Sequence, residues 1–271
     1  MNGDKITPRR CSAIGSACRD HDPAHTLHTS RSCRFARPRG SRVRSMWQTG
    51  GMLLLVLTLF ATPVSADHGP TFDVTCPTVS AQVVLDPGHG GVDPGAVYED
   101  YRLHEADQTL AISRRVADVL QSQYGYTVAL TRQDAETGRG NSERGEIANA
   151  CAATVFVEIH LNASEDRTVD FAQTFWGEKE KDVAFSRVMN EALGNLGIPL
   201  QAVDRFDNGG LLRARMPSIL VEAVFLSNTD EAQKLVAGTR QEEIAQAIAT
   251  GVATWMAMTD AQGGAERDRA G

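Results

Sequence analysis

The chain has 271 residues, 42% apolar and 23% charged, with a formal net charge of −7; this is the composition of an ordinary globular protein, long enough for one large domain or two small ones. Residues 1–66 carry ten Lys or Arg and three Asp or Glu, so the chain's 27 basic and 34 acidic residues leave 17 and 31 for 67–271, a net charge of −14. So acidic a body excludes a general nucleic-acid binder, which needs a basic face against phosphate, and otherwise serves solubility.

Residues 1–66 read as an address. The run Met52-Leu-Leu-Leu-Val-Leu-Thr-Leu-Phe-Ala61 is apolar, with Arg42 and Arg44 before it and Val64-Ser65-Ala66 after it. That is the order of a signal peptide: basic region, apolar region, cleavage site. The run falls short of the roughly 20 apolar residues that span a bilayer. Asp67-His68-Gly69-Pro70 after Ala66 favours cleavage over a retained anchor. The Arg-, Ser-, Pro- and Cys-rich stretch before Met46 is either a long basic region or untranslated, and a start at Met46 gives a leader of ordinary length. The expectation is export, to a periplasm or to the outside, with no stable membrane span after cleavage.

A linker over 67–80 leads into Gln82-Val-Val-Leu85, a buried-type strand, and then a Gly/Pro-rich loop to Gly95. Leu103, Ala106, Leu110, Val116, Val119 and Leu120 share a face at helical spacing and predict a helix over about 104–123. Tyr126–Thr131 reads as a second strand, Arg144–Ala150 as a short helix, Thr154–His160 as a β-rich strand and Phe171–Trp176 as another. A helix is expected over 180–196, a buried strand over Ser218–Val224, and helices near 229–236 and 240–257. The polar tail, 259–271, is expected to be disordered. Strands alternating with helices predict a single α/β domain over 81–258, a mostly parallel twisted sheet with helices on both faces. The protein is expected to be a monomer.

Of five cysteines, Cys11, Cys18 and Cys33 lie in the leader, and the mature part keeps Cys76 and Cys151. Each lies a few residues before a predicted strand, and parallel strands begin at the same edge. The two are therefore candidates for a disulfide in an oxidising compartment, the alternative being two buried thiols.

Metal-type side chains gather at predicted strand ends. His89 sits in the loop after the first strand, Glu105 in the first turn of the following helix, His160 at the end of the 154–160 strand and Glu222 near the end of the 218–224 strand. In an open α/β sheet, ligands collect at the carboxyl edge of the strands. Two His and one carboxylate suit a catalytic zinc with a position left for water. A further carboxylate suits the proton transfer that hydrolysis needs. Each residue also has a plainer reading: a hydrogen-bonded loop histidine, a first-turn helix acid at Glu105, or Glu222 paired with Arg213 or Arg215.

Five blocks together resemble the zinc-dependent N-acetylmuramoyl-L-alanine amidases of the amidase-3 type. They are Val84-Leu-Asp-Pro-Gly-His-Gly-Gly-Val-Asp-Pro-Gly95, Leu103-His-Glu-Ala-Asp-Gln-Thr-Leu110, Arg144-Gly-Glu-Ile-Ala-Asn149, Phe156-Val-Glu-Ile-His-Leu-Asn-Ala163 and Ile219-Leu-Val-Glu-Ala-Val-Phe-Leu-Ser-Asn228. The resemblance implies Zn2+ held by His89, Glu105 and His160, with Glu222 as general base. It implies a peptidoglycan substrate, cut at the amide between the lactyl group of N-acetylmuramic acid and L-alanine of the stem peptide. The alternatives are another exported zinc peptidase, such as a carboxypeptidase, and a non-catalytic wall-binding protein of the same fold. Glu158 stands where the family usually has Ser, Leu161 where a smaller residue is common, and Val224 where Gly is usual. Glu158 shares a strand face with His160, as an acceptor for a ligand histidine or as an exposed acid.

Overall fold

A computed structural model describes Cys76 and residues 80–270. The leader, its alternative start at Met46 and most of the linker lie outside these residues. Strand β1 (Val83–Pro87) is followed by a small hairpin of β2 (Val97–Tyr98) and β3 (Leu103–His104), then helix α1 (Glu105–Tyr124). Next come β4 (Val128–Leu130), α2 (Asn141–Ala150), β5 (Val155–Asn162), β6 (Gln173–Trp176) and α3 (Lys179–Leu193). The chain continues through β7 (Asp204–Arg205), α4 (Gly209–Arg213), β8 (Ser218–Phe225), α5 (Thr229–Ala237) and α6 (Thr239–Ala270).

Six strands form one sheet in the order β4-β1-β5-β8-β6-β7. The first four are parallel, β6 runs antiparallel to β8, and β7 is parallel to β6. The central strands β1, β5 and β8 are the near-continuous apolar runs of the sequence, as a sheet covered on both faces requires. Alternation divides their side chains. Val83, Leu85, Val155, Val157, Ile159, Ile219 and Val221 join the larger core with apolar residues of α1, α3, α5 and α6. Val84 and Phe156 face the smaller core, with Ile147 and Ala148 of α2 and with Ala214 and Met216 after α4. The same parity sends Asp86, Glu158, His160 and Glu222 to this second face, toward the carboxyl ends of the strands.

Some elements differ from expectation. The β2–β3 hairpin, β7 and α4 are too short to show periodicity. The reversed direction of β6 leaves no trace in its own sequence. Helix α6 spans Thr239–Ala270, past the end expected near 257; its last core residue is Met256, and the sequence beyond it, with Gly263 and Gly264 side by side, carries no helical pattern that would have predicted the extension. The Cys76–Cys151 disulfide is present, with a Cα–Cα distance of 5.3 Å. Cys151 caps the carboxyl end of α2 just before β5, so the bridge ties the incoming chain to the sheet's amino edge.

Candidate metal centre

His89 follows β1 in a left-handed backbone conformation, φ 62°, uncommon for a residue with a Cβ. Two buried arginines hold this turn. Arg144 of α2 grips Asp86 (2.8 and 2.9 Å) and donates to Pro87 O and to His89 O at 2.9 Å. Arg132 donates to the carbonyls of Pro87, Gly88 and Ala106. The strained histidine is thus fixed by its own main chain.

Glu105 joins the two histidines. It is the first residue of α1 and is buried. Its Oε2 accepts from Ala96 N at 2.9 Å and lies 3.0 Å from His89 Nε2. Its Oε1 accepts from Leu161 N at 3.0 Å and lies 3.1 Å from His160 Nδ1. One donor atom from each of His89, Glu105 and His160 lies within 4.8 Å of the others. The rings of His89 and His160 meet edge to face, centroids 4.9 Å apart. Two glycines make the space: a Cβ on Gly88 would overlap the His160 imidazole, and one on Gly95 would come within 2.6 Å of Glu105 Oε2.

Asp93 is the residue that the sequence reading passed over. His89 Nδ1 donates to its Oδ2 at 2.8 Å, leaving Nε2 turned toward Glu105. A carboxylate on the far nitrogen is what orients a metal-ligating histidine. Its signal in the sequence is an acid four residues after His89, within the Gly/Pro-rich loop.

The electrostatics follow from burial and pairing. Burial alone would lower the His89 pKa, but the hydrogen bonds and charges of Glu105 and Asp93 outweigh it and raise it to about 9. Burial would raise Glu105, yet the two histidines hold it far below the usual carboxylate range. Burial pushes Glu222 well up, and the charge of Glu105 pushes it further. Glu222 pairs in register with His160 across β5 and β8. Its Oε2 is buried with no hydrogen-bond partner among the described residues. Arg213 and Arg215 are exposed, and among the described residues the only charge that acts on Glu222 is that of Glu105, so the ion-pair reading of Glu222 falls.

Glu158 is fully buried, and neither carboxyl oxygen has a hydrogen-bond partner among the described residues. It is therefore not an exposed acid, and it makes no hydrogen bond to His160. Burial and the charge of Asp86 raise its pKa well above normal, against the pull of Arg144. Its room comes from α4, where a Cβ on Gly210 would overlap Glu158 Oε1. Leu161 and Val224 are both buried in the larger core.

The residues fit a small divalent cation. The donor set is two imidazoles and a carboxylate, which is zinc chemistry. The cradle is kept open by two glycines, and an unpartnered carboxyl stands beside it.

Comparison with known proteins agrees with this geometry. The profile of the N-acetylmuramoyl-L-alanine amidase family, Amidase_3, matches residues 83–254. An uncharacterised Bacillus subtilis protein, YqiI, is 31% identical over 214 residues, covering 78% of this chain and 97% of that protein. The germination-specific N-acetylmuramoyl-L-alanine amidase of Bacillus subtilis is 33% identical over 186 residues, covering 63% of this chain and 77% of the relative. Among solved structures, the CwlD amidase of Clostridioides difficile, in complex with the GerS lipoprotein, aligns with a TM-score of 0.61 at 33% identity. It covers 66% of this chain and 99% of that one.

Proposed function

The chain belongs to the N-acetylmuramoyl-L-alanine amidase family, and from that premise we propose that it is a zinc-dependent enzyme working through His89, Glu105, His160 and Glu222. The bond it cuts is the amide between the lactyl group of N-acetylmuramic acid and L-alanine of the peptidoglycan stem peptide. The observation that carries the reading is the convergence of two histidines on one buried glutamate, with an unpartnered carboxyl alongside.

His89 through Nε2, His160 through Nδ1 and Glu105 are the ligands. When bound, zinc supplies Lewis acidity that polarises the amide carbonyl and makes water a stronger acid. Asp93 keeps the His89 proton on Nδ1, so that Nε2 offers a lone pair. Glu222 takes the proton of the attacking water on a carboxyl oxygen and passes it to the departing amine of L-alanine. For that it must be ionised. Burial and Glu105 oppose ionisation in the metal-free site, and a divalent charge at the centre reverses the balance.

Export supports the same reading. The signal-peptide pattern precedes the domain, and the Cys76–Cys151 disulfide belongs in an oxidising compartment. Among the described residues no helix is long and apolar enough to cross a membrane.

Mass spectrometry of purified sacculi digested by the mature protein, with and without a chelator, tests the proposal. The expected products are whole stem peptides with a free L-alanine amino terminus and a peptide-free glycan, both abolished by the chelator. Release of single terminal amino acids would make the protein a carboxypeptidase, and chelator-resistant release would remove zinc.

A further inference from the structure

The sheet face that carries His160 and Glu222 does not end at β8. Strand β6 pairs with β8 so that Gln173 lies opposite Glu222 and Phe175 opposite Leu220. Directly opposed residues share a face, and residues two apart on a strand do so as well. Gln173 and Phe175 therefore extend the catalytic face. Thr174, of opposite parity, is fully buried, on the side where α3 packs on β6. Gln173 and Phe175 remain partly open. Beyond β6, Asp204 of β7 pairs with Phe175. Phe206, two residues further on, sets its ring beside that of Phe175, centroids 5.8 Å apart at 57°. Phe206 is 42% exposed.

One strand spacing across and two residues along put Phe175 about 8 Å from Glu222, Cα to Cα. That is within the span of a single sugar ring and its substituents. A lone exposed apolar residue needs no explanation. A pair of aromatic rings open at a sheet edge is a liability for edge pairing, and here it continues the face that does the chemistry.

We propose that Phe175 and Phe206 form a glycan subsite, a stacking platform for the muramic acid end of the substrate; this rests on the amidase reading above. A pyranose ring presents a face of C–H bonds, which suits the electron-rich face of an aromatic ring. Asp204, beside Phe175, can accept from sugar hydroxyls. The open aromatic pair beside it, and not this exposed charge, is what assigns the glycan to this side of the metal centre.

The test uses the mature protein and its Phe206→Ala and Phe206→Tyr variants. Binding of peptide-free glycan oligosaccharides and of free stem peptide is measured by calorimetry, with hydrolysis of a disaccharide-peptide in parallel. The expected result is about a tenfold weaker glycan affinity for Phe206→Ala, the worth of one aromatic contact. KM should rise to match while kcat holds, stem-peptide affinity should stay unchanged, and Phe206→Tyr should restore glycan binding. Glycan affinity unaltered in Phe206→Ala, or a loss confined to the stem peptide, would overturn the subsite. Should wild-type protein bind glycan through Phe206 yet cut no muramoyl amide, the subsite stands and the amidase reading falls. Intact hydrolysis with glycan binding indifferent to Phe206 is the reverse case.

Discussion

His89 and Glu222 meet the same centre with opposite electrical demands. In the metal-free protein His89 keeps its proton up to about pH 9, against 6.5 for a free imidazole. A folded-state pKa raised in this way stabilises the metal-free fold fully below about 6.5, and the contribution fades as pH rises through about 9. Zinc and that proton compete for Nε2. Zinc affinity should therefore climb with pH from 6 toward 9, by up to about tenfold per pH unit for one displaced proton. Calorimetry in buffers of different ionisation enthalpy should find at least one proton released per zinc at pH 7, that of His89, with a second where Glu222 ionises; Glu222→Gln removes the second and leaves the first, and none released from that variant would mean that His89 is not a ligand. Glu222 has the other role. Glu222→Gln keeps the shape of the side chain but cannot take a proton. It should retain zinc and lose on the order of 10²–10⁴-fold in turnover. Zinc content measured on the same preparation separates base from ligand: a fall in parallel with activity would make Glu222 a ligand.

Elements place these residues, and two contacts between elements invite direct tests. Glu158 of β5 occupies space that only a glycine at 210 in α4 leaves free. Gly210→Ala should destabilise the domain by about 1–3 kcal/mol, the usual cost of overpacking. Glu158→Ser should relieve most of that cost in the double variant, because residues in contact are not additive. Additive losses in urea unfolding would show that the two do not press on each other. The Cys76–Cys151 bridge closes 75 residues of chain. Replacing both cysteines with serine should cost at most about 4.5 kcal/mol in the chain-entropy model, read as a lower unfolding midpoint; an unchanged midpoint would make the bridge dispensable. The bridge was legible in the sequence because both cysteines precede parallel strands. The apolar runs of β1, β5 and β8 and the stripe of α1 were legible for the same kind of reason: long elements repeat their pattern. His89, Glu105, His160 and Glu222 were readable as metal-type side chains at strand ends, made specific by the five blocks around them. Asp93 left only an acid four residues after His89 as its trace, whereas Arg132 and Arg144 act through the folded turn they hold and Gly210 acts through a neighbour 52 positions away. No local spacing announces these last two kinds of contact. The direction of β6 was hidden because a four-residue strand reads alike both ways.

At the scale of the whole molecule, the centre joins parts that the chain keeps apart. His89 belongs to the turn after β1, Glu105 to the start of α1 and His160 to the end of β5. Between them they touch the central sheet and a helix of the larger core. Arg144 and Arg132 brace the same turn from the smaller face and from the loop after β4. A ligand that binds all three at once can bind only the folded chain, so it stabilises the fold by mass action. At a free zinc concentration a hundred times the dissociation constant the gain is about 2.7 kcal/mol. For a domain of this size that raises the unfolding midpoint by roughly 5–10 °C. Chelation of the mature protein should lower the midpoint by that amount, and added zinc should restore it. Glu105→Gln should abolish the difference between chelated and zinc-loaded samples. Glu222→Gln should keep it, because the proposed role of Glu222 is that of base and not of ligand. A midpoint indifferent to chelation in protein that loses its activity would show that zinc binds without bridging these three elements, and would overturn the shared site.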